Sequence, residues 1–225
     1  MNESYSRLPE EVREILSHVD HTNLSVTATE EEIRRTVQEA VFFHTAAVCI
    51  PPRFFRAAVE EAGGRVSICT VIGFPNGYMT ATAKAAEAEE AIRNGADELD
   101  TVIPLGAVKA GRYGEVLSEL ILLRRVTAGK ILKVIIETSA LTDEEKKKLC
   151  GIVSESGADY IKTSTGFHTG GATKEDVALL RAYISPSVRV KAAGGISSFR
   201  DAATFLALGA DRLGTSRLVK IAIKM

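Results

Sequence analysis

Apolar residues along this chain recur with two alternating periods. In seven segments, at residues 29–44, 53–62, 80–94, 113–128, 142–156, 173–184 and 198–208, they return every three or four positions, as on one face of an α-helix. Between and around these segments lie short β-branched runs, HVDHT, AAVCI, VSICTVIGF, ELDTVI, ILKVIIE, YIKTS, VRVKAA and RLGTS, which predict eight strands. A short helix at about 8–17 precedes the first strand, and another runs from about Ser216 to the chain end. The helix starts carry caps. Thr29 precedes Glu32, Thr142 precedes Glu145 and Thr173 precedes Asp176, each resembling a capping box with its acid in the first turn.

One joint is built three times. Gly95-Ala96-Asp97, Gly157-Ala158-Asp159 and Gly209-Ala210-Asp211 each follow a helical segment and lead into a strand. A glycine just past a helix takes the left-handed conformation that ends it. Eight strand-then-helix units in 225 residues, joined by short loops, predict an α/β fold: a single (β/α)8 TIM barrel, one domain over residues 1–225. An open doubly wound sheet is the alternative, because periodicity counts strands without showing closure.

Composition narrows the class of function. With 45% hydrophobic residues, 25% charged residues and net charge −1, nothing points to nucleic acid or an acidic surface as partner. The N-terminal stretch MNESYSRLPEEVREIL has no apolar signal core, and nowhere do 18 apolar residues run together. A cytoplasmic protein without a membrane partner is expected. Three cysteines with no CxxC spacing and four histidines with no HxH or HExxH spacing suggest neither a disulfide framework nor a metal site. The lysine run 146–148 reads as a solvated helix face.

In such a barrel the chemistry sits at the C-terminal ends of the strands. The polar residues there are Asp20, Cys49, Asp100, Lys133, Glu137, Lys162 and Lys191. Lysine is almost never fully buried without a partner, so Lys162 within DYIKT is conspicuous. Alternation puts Tyr160 and Lys162 on one face of their strand, and Glu98 and Asp100 on one face of theirs. If those faces point inward, Lys162, Asp100 and Lys191 meet. Two adjacent ammonium groups disfavour each other's ionisation, so one amine is expected to lose its proton easily and become a nucleophile toward carbonyls. The plain alternative is a pair of buried ion pairs with Asp100 and Glu137 and no chemistry. The loops carrying Thr165-Gly166, Gly194-Gly195 and Gly214-Thr215-Ser216 offer backbone N–H groups for an anion, which predicts a phosphorylated substrate.

Together, DHT in strand one, AVCI in strand two, ELDTVI, LKVIIET, IKTSTGF, VKAAGGI and LGTS resemble the deoxyribose-phosphate aldolase family over about residues 15–220. The resemblance implies a class I aldolase, a lyase with no metal and no cofactor. It would reversibly cleave 2-deoxy-D-ribose 5-phosphate to D-glyceraldehyde 3-phosphate and acetaldehyde. It further implies Lys162 as the Schiff-base lysine, Asp100 as acid/base and Lys191 as the lysine that tunes Lys162, with Asp20 and Lys133 in support. Cys49, by its parity with Ala47, and Thr165 are expected beside the site, and Gly166, Gly194, Gly195, Gly214, Thr215 and Ser216 around the phosphate. A Cys49 thiol facing the mouth would be open to alkylation by unsaturated aldehydes formed from acetaldehyde.

Two departures from the family pattern appear. Pro104 is expected to turn the loop after strand four early, and the chain stops at Ile223-Lys224-Met225 where longer relatives carry a tail with a terminal tyrosine. Phe167 and His168 read as a rim. Sugar phosphate and aldehydes are the expected partners, with a homodimer or higher homo-oligomer as the assembly. Other Schiff-base barrels, such as transaldolase or keto-acid aldolases, and a barrel that only binds an anion are the competing readings.

Overall fold

Eight parallel strands close on themselves in chain order: β1 (Val19–Thr22), β2 (Ala47–Cys49), β3 (Ser67–Ile72), β4 (Glu98–Val102), β5 (Ile131–Ile135), β6 (Tyr160–Lys162), β7 (Arg189–Ala193) and β8 (Arg212–Thr215). Pairing of β8 with β1 removes the open-sheet alternative. The structure, a computed structural model, describes residues 5–225. The first four residues of the expected domain 1–225, and of the N-terminal stretch read above, lie outside the described residues. Helices α1 (Glu10–Ser17), α2 (Glu30–Phe42), α3 (Phe55–Ala62), α4 (Ala81–Arg93), α5 (Leu105–Lys109), α6 (Tyr113–Val126), α7 (Asp143–Ser156), α8 (Lys174–Tyr183), α9 (Phe199–Ala207) and α10 (Leu218–Ala222) surround the barrel.

The main apolar core lies between strands and helices, where the outward residues of the strands (Val48, Ile68, Leu99, Leu132, Ile161, Val190 and Leu213) meet the helix faces. The barrel interior is different. Its apolar cluster is small, Ala47, Cys49, Cys69 and Val71, and beside it lie Tyr160 and a group of buried charged residues.

The three repeated joints share a hydrogen-bonded ring. Gly95, Gly157 and Gly209 have φ of 104°, 77° and 96°, values that favour glycine. Each following aspartate donates its N–H to a carbonyl at the start of the previous strand and accepts that same residue's N–H on its carboxylate. The partner is Ile68 for Asp97 (2.9 and 3.0 Å), Leu132 for Asp159 (2.9 and 2.8 Å) and Val190 for Asp211 (2.8 and 2.8 Å). Strand N–H groups that would otherwise be orphaned are thereby satisfied.

Several local expectations are corrected. The segment 53–62 opens as a 3-10 turn, Pro52–Phe54, before α3, because the Pro51-Pro52 pair cannot supply helical N–H donors. After Pro104 the chain forms α5 instead of an early turn. The final helix is only Leu218–Ala222. Thr29 and Thr142 make full capping boxes, whereas Asp176 gives only its N–H to Thr173 and turns its carboxylate to Lys146, 2.6 Å away. Lys146 is therefore a buried, paired lysine and not part of a solvated face.

Candidate active site

Strand register decides which charges meet. Cα pairing sets Asp100 beside Lys133, Lys133 beside Tyr160, Lys162 beside Lys191 and Lys191 beside Arg212. Alternation turns all of them into the barrel, where each is buried. Lys162 Nζ donates to Asp100 Oδ2 at 2.8 Å, and Lys191 Nζ donates to the same oxygen at 2.7 Å. The other oxygen, Oδ1, accepts from Lys133 Nζ at 2.7 Å and from Cys69 Sγ at 3.2 Å. Lys191 also bonds Asp20 Oδ2, while Asp20 Oδ1 accepts from Arg212 Nη1 at 2.6 Å. Glu98 closes the cluster, 2.6 Å from Lys133 Nζ and 3.3 Å from Arg212 Nη1.

Burial and neighbours pull against each other here. Burial alone would raise the Asp100 carboxyl, but Lys133, Lys162 and Lys191 outweigh it and hold Asp100 well below the usual carboxylate range. Asp20 is lowered in the same way, by Lys191, Lys133 and Arg212 against burial. Burial would likewise lower Lys191, yet Asp100 and Asp20 prevail and hold it above the ordinary lysine value. Lys133 is held up by Asp100, Cys69, Asp20 and Glu98. Lys191 is therefore not the amine of the pair whose proton is loosened, because Asp100 and Asp20 outweigh the neighbouring ammonium of Lys133. A hydrogen bond from the Cys69 thiol lowers Cys49, while burial raises Cys69 well above the usual thiol range.

A cavity of about 530 Å³ opens at the C-terminal ends of the strands, with Lys162 in its wall and Asp100, Lys133 and Lys191 behind it. Thr165, Gly166, Gly194, Gly195, Gly214, Thr215 and Ser216 line it, as do two cations unread in the sequence, Arg217 and Lys220. Glycine is required at two of these places. Gly194 has φ of 82°, and a Cβ there would sit 3.0 Å from Gly171 Cα. A Cβ on Gly214 would lie 2.9 Å from Ala193 Cβ and 3.3 Å from Lys191 Cε. Thr215 is a brace: its hydroxyl donates to Ile196 O and accepts the N–H of Arg217.

Glu137 is not where strand parity put it. Strand β5 ends at Ile135, and Glu137 adopts a left-handed φ of 55°, which turns its carboxylate away from the lysines. Its Oε2 instead accepts the backbone N–H of Thr165 at 3.1 Å and the Thr165 hydroxyl at 2.5 Å, tying the loops after β5 and β6 together. Cys49 faces inward and is buried. Cys49, Cys69 and Asp100 each bring a ligand-type atom within 4.8 Å of the others, but Lys133 donates to both Cys69 and Asp100, so the trio belongs to the charge network. At the rim, Phe167 meets Phe74 edge to face, ring centroids 5.2 Å apart, and His168 bonds Ser139 and Thr169. Arg212 was missed because an arginine at a strand start reads as exposed. Its burial follows only from closure.

A closed parallel barrel with lysines paired through one carboxylate at the strand ends, beneath a glycine-lined cavity, defines the class: a lysine-bearing α/β-barrel enzyme of the aldolase type. The sequence model of the DeoC/LacD family aldolases matches residues 15–218. A deoxyribose-phosphate aldolase of Streptococcus pyogenes serotype M4 is 54% identical over 211 residues, covering 94% of this chain and 95% of the relative. Among solved structures, an aldolase called QR15 superposes with a TM-score of 0.90 at 40% identity, covering 93% of this chain and 95% of that one. A deoxyribose phosphate aldolase from Aeropyrum pernix, described as a unique tetrameric structure, gives 0.87 at 33% identity, covering 98% and 94%. The chain belongs to the DeoC/LacD aldolase family and is thus a lyase.

Proposed function

We propose that this aldolase reversibly cleaves 2-deoxy-D-ribose 5-phosphate to D-glyceraldehyde 3-phosphate and acetaldehyde through a Schiff base on Lys162. The observation that carries the reading is Lys162 in the cavity wall, sharing one oxygen of Asp100 with Lys191. The amine of Lys162 adds to C1 and water leaves, giving an iminium ion that draws electrons from the C2–C3 bond. That bond breaks as the C3 hydroxyl gives its proton to Asp100, directly or through water. Glyceraldehyde 3-phosphate departs, the enamine is protonated at C2 from the Asp100–Lys191 pair, and hydrolysis frees acetaldehyde and Lys162. Asp100 is a weak base while the ammonium groups of Lys133 and Lys191 and the iminium on Lys162 surround it, so its part is to accept and return one proton within the cluster, not to store it. The phosphate is assigned to the glycine-lined loops after β6, β7 and β8, with Arg217 and Lys220 as counter-charges.

Borohydride reduction with acetaldehyde, followed by peptide mass spectrometry, tests the mechanism. An ethyl group on Lys162 that is absent in Lys162→Leu is the expected result; no modified lysine while the sugar phosphate still binds would leave only anion binding. Three free, buried thiols fit a reducing compartment, the cytoplasm. Among the described residues no helix is long and apolar enough to cross a membrane. The tetrameric Aeropyrum relative supports a homo-oligomer, which light scattering on the purified protein would measure.

A further inference from the structure

Every strand contributes to one buried polar cluster. β1 supplies Asp20, β2 Cys49, β3 Cys69, β4 Glu98 and Asp100, β5 Lys133, β6 Tyr160 and Lys162, β7 Lys191 and β8 Arg212. Arg189, at the start of β7, lies over the Tyr160 ring 4.1 Å from its centroid and is open to water. With the thiols and the phenol protonated, the buried charges are four cations (Lys133, Lys162, Lys191, Arg212) against three anions (Asp20, Glu98, Asp100). One positive charge is in excess. Loss of a single proton brings the cluster to three against three, and an uncompensated charge in a dry interior is costly. Among the described residues Lys162 is the lysine of this cluster with the fewest carboxylate partners. It reaches only Asp100, through an oxygen it shares, whereas Lys191 reaches two carboxylates and Lys133 three.

We propose that Glu98 and Arg212, which neither line the cavity nor touch Lys162, set the fraction of Lys162 present as the free amine by fixing the net charge of this cluster. They are positioning residues for the Schiff-base step, and the proposal rests on the reading of Lys162 as its nucleophile. Glu98 and Arg212 act with opposite sign. Glu98→Gln leaves an excess of two positive charges, so the cluster sheds a proton more readily. Arg212→Met leaves no excess, so Lys162 keeps its proton. Removing both side chains' charges leaves three cations against two anions, the excess of one that the natural cluster has.

The experiment is the pH dependence of kcat/KM for cleavage of 2-deoxyribose 5-phosphate, read beside the pH dependence of borohydride-trapped ethyl on Lys162. In Glu98→Gln the acidic limb moves to lower pH and in Arg212→Met to higher pH, each by about one unit, the order for one charge about two strands away at an effective dielectric near 20. Arg212→Lys and the double variant Glu98→Gln/Arg212→Met return the limb to its natural position. A cluster that only held the barrel together would lower activity with the limb unmoved, and the double variant would be the worst. That result, or shifts of the same sign in both single variants, overturns the proposal. Should Arg212→Met fail to fold, Glu98→Gln and the double variant still decide. Absence of any trapped adduct on natural Lys162 would instead defeat the Schiff-base reading; adducts in every variant with an unmoved limb defeat this proposal alone.

Discussion

In the proposed mechanism Asp100 is the residue on which the chemistry turns, because one of its oxygens is shared by Lys162 and Lys191, the two lysines that the mechanism needs in different charge states. Asparagine at this position keeps the shape and removes the proton acceptor. Asp100→Asn is expected to lower kcat by about 10²–10⁴-fold, the usual contribution of a positioned acid/base, in steady-state cleavage assays. The cations at the far end of the cavity act differently. Arg217 lies with the glycine loops to which the phosphate is assigned, and not among the lysines and Asp100. Arg217→Gln is expected to raise KM for the phosphorylated sugar about tenfold, the loss of one charge-assisted bond, with kcat nearly unchanged and unphosphorylated 2-deoxyribose unaffected.

At the level of elements, the joints after α4, α7 and α9 pin each strand to the next. Asp159→Ala removes the acceptor of the Leu132 N–H and is expected to cost about 1–3 kcal/mol in urea denaturation, with kcat unchanged. The Gly-Ala-Asp repeats were visible in the sequence, and so were the eight strands and their helices, because each follows from local period and turn chemistry. The ring that each aspartate closes was not, since it joins residues 21 to 29 positions apart whose meeting depends on register. The sharing of one face by Tyr160 and Lys162, and of another by Glu98 and Asp100, was legible from alternation, which holds while a strand continues; that those faces point inward follows from closure. Alternation failed at Glu137, two residues past the end of β5, where the backbone turns left-handed. Helix α5 escaped notice because LGAVK is too short to show a period.

For the whole molecule, the buried cluster sets a pH window for stability. Asp20 and Asp100 are lowered on folding, so their contribution is present above the unfolded carboxyl value of about 3.9 and is lost as pH falls below it. Lys133 and Lys191 are raised, so theirs is present below the unfolded lysine value of about 10.4 and fades as pH rises beyond it. Thermal melts are expected to hold level between about pH 5 and 9 and to fall steeply below about pH 4.

The aspartate rings tie strand starts, at the end of the barrel opposite the cavity, while Phe74 and Phe167 stand on the rim above it. The ties between strand starts and the rim of the cavity are thus written in separate parts of the sequence. Libraries that randomise the rim aromatics and leave Asp97, Asp159 and Asp211 untouched should yield mostly well-folded members, in which selection can explore new acceptor aldehydes without first repairing the scaffold.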